Sequence, residues 1–126
     1  FIRLGKQFGC RVAHHSCGSI MPIIPDMIDC GLDILNPIQP DVADMDRGAL
    51  KRRFGDRLTF HGSISIQRTL PYGTPADIRA EVGERFRTLG GGGGFIFCTA
   101  HNIQPDTPLD NVLALFEAYQ ELGRYD

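Results

Sequence analysis

His15-Ser16-Cys17 places an imidazole and a thiol two residues apart, and Cys98-Thr99-Ala100-His101 brings the same two residue types together again far downstream. A His-x-Cys pair closing one strand, with a further Cys and His closing a later one, can offer three ligands to one metal ion. Three is the number a catalytic zinc keeps while its fourth position stays open for chemistry. The same residues also read as strand-end thiols packed as small hydrophobes beside hydrogen-bonded imidazoles, so spacing alone leaves both readings open. Polar groups recur at comparable places. Asn36 and Gln39 flank Pro37, and His61 and Ser63 flank Gly62. All four are candidate substrate-binding residues, although Asn before Pro is equally an ordinary turn. Gly62 would let backbone approach a ligand closely. Cys10 and Cys30 have no partner at ligand spacing, and His14 should face away from His15 if the strand alternates.

These groups are positioned by a repeating strand-helix pattern. Residues 11–15, 32–35, 58–61 and 95–97 read as short strands. Between them lie helical segments at about 20–29 and 46–54 and a third that opens with Thr74 as N-cap and Pro75 at its first position. Its apolar face is Ile78, Val82, Phe86 and Leu89. A last helix, with Thr107 as cap and Pro108 following, carries Val112, Leu115, Phe116, Tyr119 and Leu122 and stops at Gly123. Strands alternating with helices predict an α/β fold with a parallel sheet. Each candidate residue follows a strand end, which is where a (β/α)₈ barrel builds its site. A doubly wound sheet would gather ligands at one switch point instead. Four units amount to half of a barrel, taken as a single domain over 1–126. Its two sheet edges need covering by further sequence or by a partner chain.

Composition narrows the classes further. Of 126 residues, 42% are hydrophobic and 22% charged, and the formal net charge is −2. That suits a globular domain and offers no basic footprint for nucleic acid. No apolar run approaches membrane-spanning length, and no secretion signal is visible. Four widely spaced cysteines then suit a reducing cytoplasm and metal binding better than disulfides. The sequence opens at Phe1 inside what reads as an amphipathic helix, so a fragment, or a chain whose N-terminal part is missing, is expected. Gly90 to Gly94 lacks the GK[ST] ending of a phosphate loop and precedes a strand, so it reads as a connection. Asp41, Asp44 and Asp46 lack EF-hand spacing and read as acid enriched at a helix N-terminus.

The segments HSCGSI (15–20), GLDILNPIQ (31–39), LKRRFGDRLTFHG (50–62), LPYGTP (70–75), GGGFIFCTAHNIQPDTP (92–108) and NVLALFEAYQELG (111–123) resemble the C-terminal half of the uroporphyrinogen decarboxylase superfamily. The resemblance runs in order through nearly the whole chain. It implies a (β/α)₈ barrel and two kinds of activity: cofactor-free porphyrinogen decarboxylation, and zinc-dependent methyl transfer between corrinoid proteins and thiols.

The His-x-Cys pair is more similar to the methyltransferase-like branch, which implies Zn²⁺ held by His15 and Cys17. The branch has a Cys as third ligand in the segment matching 100–103. Here that segment holds His101, with Cys98 three residues earlier. The decarboxylases place a substrate-contacting His in the same segment, so His101 is also the candidate catalytic residue. Their Leu-Asp-Trp signature is replaced by Leu32-Asp33-Ile34, and Ser65 stands where many members carry an acid. The resemblance thus implies methyl transfer to a thiol, with a corrinoid protein as possible partner and a homo-oligomer or the missing half completing the barrel. The alternatives are a decarboxylase of porphyrin biosynthesis and an inactive half-barrel serving as an interaction module.

Overall fold

The computed structural model describes residues 1–124. Four strands, β1 (Ala13–His15), β2 (Ile34–Asn36), β3 (Thr59–His61) and β4 (Phe95–Ile96), form one parallel sheet in the order β1-β2-β3-β4. A doubly wound sheet reverses its order at a switch point, whereas a barrel adds each strand beside the last. The sequential order is therefore that of a partial (β/α)₈ barrel, the α/β class expected. Among the described residues β1 and β4 each have one sheet neighbour.

The strands are shorter than expected, and β2 lies nearer the C-terminus than the predicted 32–35 segment. Leu32 is buried against the helices but stands outside the ladder, while Asn36 is the last residue of β2 and pairs with His15. Alternation along each strand then sorts the two faces of the sheet. Leu35 pairs with Phe60, and both are fully buried beneath the helices with Ile24, Leu50 and Leu89. Their neighbours Ile34, Asn36, Thr59 and His61 are half-buried on the other face.

Local chemistry sets the helices: α1 (Ile2–Gln7), α2 (Ile24–Asp29), α3 (Arg47–Phe54), α4 (Thr69–Tyr72), α5 (Pro75–Arg85) and α6 (Leu109–Leu122). The expected helix from Ile20 begins instead with a tight 3₁₀ turn, Met21–Ile23, and turns α-helical at Ile24. Pro22 and Pro25 sit in the first turn of each piece, where a missing N–H costs nothing. Asp46 caps α3 by accepting from the Ala49 N–H at 2.7 Å. Thr74 caps α5 as the sequence suggested, and Asp77 completes the cap by accepting from the Thr74 N–H. Past Arg85 that helix widens into a π-turn, Phe86–Gly90, which still buries Leu89.

The segment leading into α5 contains the short helix α4. Pro108, not the expected Thr107, is the N-cap of α6, with no side-chain cap bond. Instead the buried Asn111 amide donates to the carbonyls of Leu70 and Gly73, both at 2.8 Å, tying the start of α6 to α4. Phe97 stacks between Phe86 (5.1 Å) and Tyr119 (5.2 Å), joining the core under β1–β4 to the one between α5 and α6. No described helix is long and apolar enough to cross a membrane.

Ion pairs hold the opposite end of the sheet. Asp33, just before β2, takes Lys6 and Arg11 and accepts from the Val12 N–H at 2.7 Å. The Lys6 ammonium, the Val12 amide and then Arg11 hold its carboxyl at about 2, well below the ordinary 3.8. This is the face of a barrel that serves stability rather than chemistry.

Candidate functional site

The parallel register brings the first pair together. His15 stands beside Asn36 across the β1–β2 ladder, so both side chains leave the same face of the sheet. His15 Nδ1 lies 2.7 Å from Asn36 Oδ1. The Asn36 amide nitrogen donates to the His61 carbonyl at 3.4 Å, which leaves Oδ1 as the atom turned to His15. Nδ1 therefore carries a proton and donates it to Asn36. Nε2 faces Cys17 Sγ, 3.2 Å away, and in the neutral ring it presents its lone pair there. An imidazole whose far nitrogen is anchored in this way is the usual form of a metal-binding His.

Cys17 is held by its own loop. Gly18, at φ 92°, takes a backbone conformation that disfavours a side chain, and its N–H donates to Gln39 Oε1 at 2.9 Å. Gln39 thereby ties the β1 loop to the β2 loop. Cys17, Gln39, Pro40, Asp41, Ile66, Gln67, Ala100 and His101 line a cleft of about 260 Å³.

Donor geometry tests the zinc expectation. On a tetrahedral ion with Zn–S near 2.3 Å and Zn–N near 2.0–2.1 Å, sulfur and nitrogen sit roughly 3.5 Å apart. The His15–Cys17 separation of 3.2 Å is close to that. Two imidazoles on one such ion would have ring centres roughly 5 Å apart, by the same bond lengths. The rings of His15 and His101 stand 6.4 Å apart, edge to face. The pair fits, while the His15–His101 ring separation is roughly 1 Å too wide for both imidazoles to share one ion as they stand. Among the described residues no group of three or more His, Cys, Asp or Glu side chains is gathered for a metal ion.

The other expected residues are distributed differently. Cys98 is half-buried and opens on a second cleft with Phe97, Leu115, Phe116 and Tyr119, away from Cys17 and His101. Burial pushes its thiol upward, against the thiolate form a metal ligand needs. Asn36 spends its oxygen on His15. His61 contributes its carbonyl, which accepts from Asn36 and from the Ile38 N–H at 3.2 Å.

Ser63, expected to contact substrate, is fully buried and is not among the cleft's lining residues. Gly62 (φ 105°) and Ser63 (φ 116°) both take positive φ, which turns the chain inward. The Ser63 carbonyl then accepts from Arg85 Nε at 2.9 Å. Such a conformation costs a non-glycine residue about 1–3 kcal/mol, and the buried Arg85 bond helps to hold it. His14 lines a third cleft with Phe1, Ile2, Arg3 and Cys30, away from His15 as the alternation implied. The four cysteines are free thiols.

Asp41, Ile66 and Gln67 are cleft residues the sequence did not single out. Asp41 stood in an acidic run read as a helix N-terminus, but only Asp46 caps α3. Its place directly after Gln39-Pro40, in the same strand-end loop, was the available signal.

Comparison with known proteins places this geometry in context. Residues 3–122 match the family profile for uroporphyrinogen decarboxylase (URO-D). The methylcobamide:CoM methyltransferase MtaA of Methanosarcina barkeri is 35% identical over 107 residues, covering 85% of this chain and 30% of that protein. The uroporphyrinogen decarboxylase of Coxiella burnetii is 36% identical over 78 residues, covering 62% and 21%. A solved methyltransferase from Methanosarcina mazei superposes with a TM-score of 0.74 at 30% identity, over 98% of this chain and 34% of that one. The chain spans roughly a third or less of each of these proteins.

Proposed function

The chain belongs to the uroporphyrinogen decarboxylase family, whose profile it matches over residues 3–122, and from that premise we propose that it serves zinc-assisted methyl transfer to a thiol. The observation that carries this reading is the anchored imidazole: His15 Nδ1 is tied to Asn36, and Nε2 faces Cys17 Sγ at 3.2 Å. Cofactor-free decarboxylation has no use for that pair. His15 and Cys17 would hold the ion, with His101 as third ligand. Cys98 is left out because it opens on the other cleft.

Bound there, zinc would supply Lewis acidity, lowering the pKa of a substrate thiol toward neutral pH. The chain's own residues prepare the place. Asn36 keeps the proton on His15 Nδ1, so that Nε2 presents its lone pair. Gln39 fixes the turn at Gly18 and with it Cys17, and the apolar walls Pro40, Ile66 and Ala100 displace water from the reacting sulfur. In the transfer, a thiolate lone pair forms the S–CH₃ bond as the bond from methyl to its donor breaks, with that electron pair leaving on the donor. The thiol proton goes to solvent. A corrinoid carried by a partner protein is the donor this reading implies. A working Cys17 thiolate also implies a reducing compartment such as the cytoplasm.

Elemental analysis of the purified chain tests the reading, beside a His15→Ala, Cys17→Ala variant checked for folding by circular dichroism. Near one zinc per chain, lost in the folded variant, supports it. A well-folded chain that takes up no zinc when zinc is supplied overturns it. The family's decarboxylase chemistry, with His101 contacting substrate in the cleft, would then be the reading to pursue.

A further inference from the structure

Asp41 faces the same cleft and is built into it more firmly than a surface carboxylate would be. Its side chain is 12% exposed. Oδ2 accepts from Ser65 Oγ at 2.5 Å. Ser65 is itself buried, and its Oγ also accepts from the Arg68 N–H at 3.1 Å, so its one hydroxyl proton is committed to Asp41. Behind it, the Ser65 N–H donates to Glu81 Oε1 at 3.1 Å, and Glu81 pairs with the buried Arg85. A chain of hydrogen bonds from α5 thus orients the carboxylate at the cleft wall.

The other carboxylate oxygen, Oδ1, has Arg68 Nε at 3.5 Å, on a side chain that is 78% exposed. An exposed pair of that kind contributes little and gives way readily. Among the described residues lining the cleft, Asp41 is the one acid, and none is Lys or Arg. The walls beside it are apolar, so a charge brought close to Asp41 is felt more strongly than it would be in water. At about 260 Å³ the cleft has room for a small molecule. Cys17 and Asp41 both line it.

We infer that this cleft selects a small thiol carrying an ammonium group, its sulfur toward Cys17 and its cation on Asp41 Oδ1, in place of Arg68. The inference rests on the thiol reading proposed above. It adds a discrimination by charge, in which an anionic thiol is disfavoured and a neutral one falls between.

The probes are cysteamine, 2-mercaptoethanol and 2-mercaptoethanesulfonate, similar in length and cationic, neutral and anionic respectively near neutral pH. Their binding is measured by calorimetry on the wild-type chain and on Asp41→Asn, with zinc supplied and with zinc chelated. The wild type should bind cysteamine about tenfold more tightly than the neutral thiol, with the sulfonate weakest, and the spread should narrow at high salt. Asp41→Asn should bring all three within about twofold of one another, as expected when one ion contact is lost. Ser65→Ala, which frees the carboxylate without removing it, should keep the order and reduce it to about threefold; this second variant decides the matter if Asp41→Asn does not fold. A charge order that survives without any zinc dependence speaks against the zinc reading and upholds the role of Asp41. A sulfonate bound as tightly as cysteamine, an order unchanged by Asp41→Asn or Ser65→Ala, or no binding of any probe overturns the inference.

Discussion

Replacing Asn36 with alanine removes the acceptor that holds the His15 proton on Nδ1, and the size of the effect follows from the contacts. The His15–Asn36 bond is short, 2.7 Å, while the second Asn36 bond, to the His61 carbonyl, is long at 3.4 Å and adds little. One neutral hydrogen bond contributes about 1 kcal/mol net, and Asn36 is half-buried, so water can take over part of its role. The orienting contribution is then about 1–1.5 kcal/mol, or roughly tenfold in zinc affinity, at the lower end of what outer-shell partners of metal ligands usually cost.

Zinc affinity would be measured by competition with a chromophoric chelator. The ¹⁵N shifts of the His15 ring report the tautomer without any metal. The wild type should show a protonated Nδ1, and Asn36→Ala should lose that preference with the fold intact. Asn36→Asp, which keeps the acceptor, should retain it. A wild-type ring already protonated at Nε2, or zinc affinity unchanged within twofold in Asn36→Ala, would refute the orientation argument.

Other perturbations follow from neighbouring contacts. Cys98→Ala should leave zinc content unchanged while Cys17→Ser lowers it, because Cys98 opens on the cleft beside α6; metal analysis of the two variants checks this. At neutral pH iodoacetamide should label the exposed Cys10 and Cys17 before Cys98, whose thiol burial pushes upward, and peptide mapping over time gives the order. Arg85→Ala should destabilise by about 3–5 kcal/mol in urea unfolding, since it strips the buried partner from Glu81 and Glu84 and the donor from the Ser63 carbonyl. Asp33, held at about 2 in the fold against 3.8, favours the folded state in its charged form. Its contribution is fully present above about pH 4 and is lost as pH falls toward 2. Lys6 and Arg11 are 37% and 84% exposed, so solvent screening reduces it to about 1 kcal/mol. Urea unfolding at pH 5 and pH 3 should show this acid-limb loss in the wild type and not in Asp33→Asn.

Much of the architecture was legible in the sequence because its signals are local. The Thr74 cap with Pro75 behind it and the apolar spacing of Ile78, Val82 and Leu89 act over a few helical turns, and the structure keeps them. So does the alternation that sends His14 and His15 to opposite faces. The order of strands and helices was enough to predict a barrel-like parallel sheet. The resemblance named the family without tertiary information.

Contacts between segments distant in the chain were decided only by the tertiary structure. Nothing local says that Asn36 is the cross-strand neighbour of His15, because that depends on register, and a one-residue slip would turn Asn36 to the other face. The acidic run around Asp46 concealed Asp41 for the same reason. Its role depends on Ser65, which lies 24 positions away and is itself set by α5. Cys98, beside Phe97 in an apolar strand, reads more as packed core than as ligand, yet spacing keeps it beside His101 as a candidate; the turn between them sends one to the helix layer and the other to the cleft. Residue type and spacing along one strand or helix determined which groups could do chemistry. Which of them meet was decided by register and loop closure, which couple positions far apart in the chain.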